Sequence, residues 1–439
     1  MKIEDISGSI VAPKGFLAGG VFCDIKRLGT GKGSDKGQKR DLALIVSKAP
    51  ATVAGMFTTN QVCAAPVKVC MERIKKGIAQ AVVVNSGNAN ACTGKQGLRD
   101  AKAMTEIAAR ELKIPAEKIF VGSTGRIGVT LPMENVKRGI VEAARVLGNS
   151  AAHADWAVEA IMTSDTRPKQ IAVEFELGGK TVCIGGMCKG AGMIQPGMSA
   201  NGKRPAALPL HATMLCFITT DGAIEQKALQ AALHEAVAQS FNRITVDGDM
   251  STNDTVLVLA NGLAGNEQLK IKNAKLKIFQ AALNHVCLEL AKMIVRDGEG
   301  VHRIVTLRVS GAKTIKDADA AARAVGNSPL VKTSWHGGDP NWGRIIDAIG
   351  YSPATIVEEK IDIGYSAPGS KEILWSLKRG QPTKATFKEL CAAAAPKEFD
   401  LHIRLNLGKA GAVIYAADLT ENYVSFNKGD VGDPMSLGG

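Results

Sequence analysis

The stretch Leu210-His211-Ala212-Thr213-Met214-Leu215-Cys216-Phe217-Ile218-Thr219-Thr220-Asp221 places an apolar run directly behind a threonine that follows a small residue. On its own the run reads as an ordinary buried strand start. A second reading concerns the peptide bond in front of it. If the chain cuts itself between Ala212 and Thr213, Thr213 becomes an N-terminus carrying both halves of a catalytic pair. Its hydroxyl is the nucleophile, and its α-amine, with a pKa near ~8, is a base at neutral pH. The same hydroxyl can make the cut by attacking the Ala212 carbonyl in an N-to-O acyl shift, after which the ester hydrolyses. A small side chain at 212 leaves that carbonyl open.

Working outward, strands read at 170–176 and 180–186 deliver Lys189-Gly190-Ala191-Gly192-Met193-Ile194-Gln195-Pro196. Strands read at 42–47, 51–58 and 81–85, the last buried, and Asn85-Ser86-Gly87-Asn88-Ala89-Asn90-Ala91 after them is rich in turn formers whose backbone N–H groups can be aimed at a ligand. A strand at 119–122 enters Ser123-Thr124-Gly125-Arg126-Ile127-Gly128, read as a tight polar turn. Such a turn can present oxyanion donors, here the Gly125 N–H with either the hydroxyl or the N–H of Thr124; a plain β-turn is the competing reading. Met162-Thr163-Ser164-Asp165-Thr166-Arg167-Pro168-Lys169 closes a helix at 151–162, and by spacing alone its hydroxyls read as caps.

Downstream, a helix at 225–240 leads to Asp247-Gly248-Asp249-Met250-Ser251-Thr252-Asn253-Asp254-Thr255. This loop lacks the later glycine and glutamate of a calcium-binding EF-hand, and it reads as scaffold. The clearest helix, 272–295, sets Leu276, Phe279, Leu283, Val286, Leu290 and Met293 on one face. It ends at Arg296-Asp297-Gly298-Glu299-Gly300, where the glycines suit a helix C-terminus and leave Glu299 on a turn. Gly338-Asp339-Pro340-Asn341-Trp342-Gly343-Arg344 has His336 beside it, which reads as structural. Strands at 400–407 and 411–416 precede Asp418-Leu419-Thr420-Glu421-Asn422-Tyr423-Val424-Ser425-Phe426-Asn427.

Together these motifs, spread from about residue 55 to 427, resemble the ornithine acetyltransferase family, also called glutamate N-acetyltransferase. The resemblance implies that Thr213 is the nucleophile, that Ala212–Thr213 is the cleavage site and that Thr124 with Gly125 forms the oxyanion hole. It also implies that Thr163, Lys189, Thr213, Glu299 and Asn427 hold substrate. Three departures stand out. Ala191 replaces a usual serine, residues 199–211 form an insertion, and residues 428–439 run past the usual end with Asp430 and Asp433 but no terminal threonine. If that tail enters the pocket, it changes the charge seen by the acetyl acceptor.

Composition narrows the class. A chain of 439 residues with 45% hydrophobic and only 4% aromatic residues suits an aliphatic α/β enzyme with a sizeable core. The formal charge of +12 fits nucleic acid, an anionic surface or acidic small substrates, and its dispersal without a nucleic-acid-binding motif argues against the first. Lys26 to Arg40 is the densest basic stretch; its Gly29-Thr30-Gly31-Lys32-Gly33 lacks the Ser or Thr of a phosphate loop. Nine cysteines without a Cys-x-x-Cys pair predict free thiols in a reducing compartment. Without a long apolar run or a leader-like start, neither a membrane span nor export is expected, and a cytoplasmic location follows.

Alternating strands and helices give an α/β fold. The resemblance adds a two-domain layered form shared with an aminopeptidase superfamily, an α chain of residues 1–212, a β chain of 213–439, and an α2β2 heterotetramer. The implied reaction is ping-pong transfer of acetyl from N2-acetylornithine to glutamate. It calls for no metal or bound cofactor, and whether acetyl-CoA also serves as donor is open. Two rivals stand beside it: an N-terminal-nucleophile amidase or aminopeptidase, and an uncleaved binding protein in which Thr213 only packs.

Overall fold

The computed structural model describes residues 2–26, 39–203 and 214–428. Their strands form two sheets. The first holds β1 (Ile3–Ile6), β2 (Phe16–Val21), β3 (Leu42–Phe57), β4 (Ile78–Asn88), β5 (Ile119–Arg126), β6 (Lys169–Glu176), β7 (Thr181–Lys189), β8 (Leu215–Thr220) and β10 (Thr255–Ala260). The second holds β9 (Ile244–Thr245), β11 (Ile304–Ala312), β12 (Asp362–Ser366), β13 (Leu374–Lys378), β14 (Gln381–Pro382), β15 (Glu398–Arg404) and β16 (Ala410–Ala417). The helices are α1 (Ala65–Arg73), α2 (Gly94–Leu112), α3 (Met133–Arg145), α4 (Ala151–Ile161), α5 (Gln226–Gln239), α6 (Leu276–Arg296), α7 (Ile315–Asn327), α8 (Pro329–Gly337), α9 (Trp342–Gly350), α10 (Phe387–Ala394) and α11 (Glu421–Phe426).

The first sheet runs β1-β6-β7-β8-β10-β3-β4-β5, with β2 also paired to β3. Alternation along its central strands decides the layering, because successive side chains of a strand point to opposite faces. Leu215, Phe217, Leu257 and Leu259 join a core built with α1 to α4, whereas Cys216, Ile218, Val256 and Val258 join a second core with α5 and α6. A third core lies between the second sheet and α7 to α10, around Trp335, Tyr365 and Phe399.

Two expectations change here. The segments read as separate strands at 42–47 and 51–58 are one strand, β3, whose register shifts between Val46 and Ala51. A bulge bends a strand without ending it. β5 likewise continues through Arg126, so Ser123-Thr124-Gly125 is strand rather than turn. Helix α6 is long and apolar enough to cross a membrane by length and composition, yet half of its apolar window is buried in the protein. Phe279, Leu283, Val286 and Leu290 are fully covered there, each contributing about 1.5–3 kcal/mol relative to exposure. All nine cysteines are free thiols. Burial pushes the Cys183 thiol up to about 12 and Cys188 higher still, as inert packing residues should be.

Candidate active site

β7 ends on Lys189, and antiparallel pairing sets Lys189 opposite Leu215, the first residue of β8. β10 pairs with β8 on its other side, with Thr255 opposite Leu215. The chain just behind the 212–213 junction is therefore held between a lysine and the Asp254-Thr255 end of β10. Asp254 is fully buried, and one of its carboxylate oxygens accepts the Met214 N–H. Ala212, Thr213 and most of the insertion lie outside the described residues; of the insertion, Ser199 pairs with Phe57 in an isolated bridge.

The Thr124-Gly125 segment reaches this place through Asn253. The Asn253 side-chain amide donates to the Ser123 carbonyl at 2.8 Å and to the Ala89 carbonyl at 2.7 Å, one residue before Asp254. Ser123 in turn donates its hydroxyl to Asn85 Oδ1 at 2.6 Å. Thr124 is buried and pairs with Ser86 and Asn88, while Gly125 is exposed with φ of 131°. A Cβ on Gly125 would sit 2.4 Å from the Gly87 carbonyl carbon, so only glycine permits this close strand approach.

Lys189 collects the remaining candidates. Its Nζ lies 4.0 Å from Asp165 Oδ2, the same oxygen that accepts the Thr163 N–H at 2.9 Å. Thr163 thus sits at the edge of this ion cluster, half-buried. Burial lowers the Lys189 pKa, and Asp165, held as an anion, is foremost among the acidic groups that oppose that fall. Glu299 donates its N–H to the Ala191 carbonyl at 2.8 Å, so the Lys-Gly-Ala-Gly run docks on it through backbone. A Cβ on Gly192 would lie 2.4 Å from the Glu299 carboxylate, which explains the glycine at that point. Asn427, the last residue of the family motif, donates its amide to Glu299 Oε2 at 2.9 Å. Residues 429–439 of the tail lie outside the described residues.

Thr163 and Lys189 thus share Asp165, Asn427 binds Glu299, Glu299 meets the Lys189 run at the Ala191 carbonyl, and Asn253 ties Thr124-Gly125 to the start of β8. A buried cation beside a half-buried carboxylate can hold the two charges of an α-amino acid.

The profile of the ArgJ family matches residues 23–429. The arginine biosynthesis bifunctional protein ArgJ of Symbiobacterium thermophilum is 47% identical over 427 residues, covering 97% of this chain and 99% of its own. The glutamate N-acetyltransferase of Methanocaldococcus jannaschii is 43% identical over 429 residues, covering 96% and 98%. This chain belongs to the ArgJ family. It is an enzyme of that family, an acetyltransferase of arginine biosynthesis. The crystal structure of Mycobacterium tuberculosis ornithine acetyltransferase complexed with ornithine is 37% identical, covers 45% of this chain and 100% of that one, and superposes with a TM-score of 0.41.

Several groups of this ArgJ-family site escaped sequence reasoning. Lys169 is buried and bridges Asp165, at 2.6 Å, and Asp297, which also accepts the Thr166 hydroxyl and N–H. Burial pushes the Asp165 carboxyl upward, but the Lys169 and Lys189 ammonium groups and the Gly190 N–H outweigh it and hold the pKa below the usual carboxylate range. Asp165 is therefore held as an anion, and it opposes the fall of the Lys189 pKa. For Asp254, burial dominates and raises the pKa well above normal despite the Met214 N–H and Lys189. Its second oxygen is buried with no hydrogen-bond partner among the described residues. Charged residues packed inside motifs were the available signal, but their pairing is visible only in three dimensions.

Proposed function

We propose that the chain cuts itself between Ala212 and Thr213 and then moves the acetyl group of N2-acetylornithine to glutamate through an acetyl-Thr213 intermediate. The observation that carries this reading is Lys189: a buried ammonium opposite Leu215, in the electrostatic field of Glu299 and Asp254. An acyl donor and an acyl acceptor that both carry an amino-acid carboxylate need such a cation in one place. The name borne by the Methanocaldococcus relative fits the same acceptor.

In this scheme the Thr213 hydroxyl attacks the acetyl carbonyl and its proton passes to the α-amine. The oxyanion forms against the Gly125 N–H and Thr124. The amide C–N bond breaks, the proton goes to the departing ornithine amine, and the glutamate amine attacks the ester in the reverse sequence. Asp254 accepts the N–H of Met214, the residue that follows Thr213. Lys189 takes the substrate carboxylate. Glu299, steadied by Asn427, takes the ammonium of the leaving ornithine, and Thr163 lies beside the cluster as a further contact. No cofactor enters, and acetyl-CoA would load the same hydroxyl as an alternative donor. Fragments 1–212 and 213–439 would stay together because β8 lies between β7 and β10 in one sheet, and two such pairs would form the α2β2 assembly. The charge pair also favours transfer over hydrolysis, since water needs neither ion.

The test is to mix enzyme with N2-acetylornithine without glutamate and weigh the fragments. Fragment 213–439 should gain one acetyl group, lost again when glutamate is added; loss to water at the same rate without glutamate would instead mean an amidase. Thr124→Ala is expected to lower turnover by about a hundredfold, the ~3 kcal/mol typical of an oxyanion donor, with little change in substrate affinity. A raised KM at unchanged turnover would reassign Thr124 to ground-state binding.

A further inference from the structure

His302 stands in the loop between α6 and β11, His336 near the end of α8, and Asp418 directly after β16. One ring nitrogen of each histidine and a carboxylate oxygen of Asp418 all lie within 4.8 Å of one another. His336 Nδ1 is 3.5 Å from Asp418 Oδ2. Two donors bonded to one ion at ~2.0–2.2 Å in a tetrahedral arrangement stand about that far apart.

A second observation points to an ion. Both of these atoms are buried and neither has a hydrogen-bond partner among the described residues. The other Asp418 oxygen already accepts the His302 N–H at 2.9 Å. The other His336 nitrogen, Nε2, faces Glu421 Oε2 at 2.9 Å. A carboxylate can only accept there, so Nε2 carries a proton and Nδ1 is the nitrogen turned toward Asp418. Buried polar atoms left without a hydrogen bond are costly, and a metal ion bound by both would satisfy them. A histidine oriented by a carboxylate on its far nitrogen is also how proteins present imidazole to zinc.

We propose that His302, His336 and Asp418 bind one divalent transition-metal ion, with zinc the best match to two imidazoles and a carboxylate, and that the ion ties α11 to the loop carrying Glu299. The surrounding contacts make that link. Thr420 caps α11 by accepting the Tyr423 N–H at 3.1 Å and donates its hydroxyl to the Gly300 carbonyl at 2.7 Å. Asp418 and Glu421 lie on either side of Thr420, and α11 is capped at its C-terminus by Asn427, which holds Glu299. His302 is exposed, leaving the fourth coordination position to solvent. The role is structural, outside the acyl-transfer chemistry.

The test uses the purified full chain stripped with chelator and titrated with Zn2+ and, as a spectroscopic probe, Co2+. We expect one ion per chain, Co2+ d–d absorption without a thiolate charge-transfer band, and affinity lowered at least tenfold in His302→Ala and in Asp418→Asn. Zn2+ should also slow hydrogen exchange of the 421–427 amides in the wild type and not in His302→Ala. Replacing exposed His302 does not threaten the fold, so that variant keeps the test decisive. Unchanged affinity in His302→Ala, a thiolate band, or no binding at millimolar metal would each overturn the site.

Discussion

Thr213→Ala is expected to leave the polypeptide as one piece of 439 residues and to abolish acetyl exchange. The substitution removes the only atom that both performs the cut and receives the acetyl group, and losing a nucleophile typically costs on the order of a millionfold in turnover. Thr213→Ser keeps a hydroxyl and should retain both functions in weakened form. The wild type should separate under denaturing conditions into fragments 1–212 and 213–439, with Thr213 leading the second, and should remain together under native conditions. Intact mass and N-terminal sequencing read both outcomes. An active preparation containing only the full-length chain would end the proposal of an N-terminal nucleophile.

Lys189→Met should be the next most damaging change. Truncating one partner of a buried charge pair costs about 2–5 kcal/mol, or roughly thirty- to several-thousandfold, much of it from the charge left alone. Here the stranded charge would be a substrate carboxylate. The variant should still fold, because Asp165 keeps Lys169 and the Gly190 N–H as partners. The loss should fall on KM for both acetylornithine and glutamate, since both present a carboxylate to the same cation. Steady-state and single-turnover acetylation of the 213–439 fragment would separate binding from chemistry. Acetylation at the wild-type rate and affinity would remove Lys189 from the substrate site.

Chain-local patterns were readable without coordinates. The 3.6-residue spacing of Phe279, Leu283, Val286 and Leu290 predicted α6, and all four are buried. The glycines after Arg296 placed Glu299 on a turn, and the Lys189 run was expected at a strand end, where it lies. Motifs along the chain also pointed to the ArgJ family before any geometry was known, because the order of residue types around a reacting atom is written locally. What the sequence could not show was continuity and convergence. β3 and β5 run through positions that read as breaks, since cross-strand pairing to β4 outweighs the turn tendency of Gly125 and the register shift after Val46. The ion cluster is further removed still from linear reading. Lys169 reaches Asp297 across 128 positions, and Asp254 takes the Met214 N–H across 40. Burial turns those meetings into strong interactions, because a charge excluded from water must find its partner wherever folding brings one; the sequence determined which charges exist, and only the tertiary structure decided which of them meet.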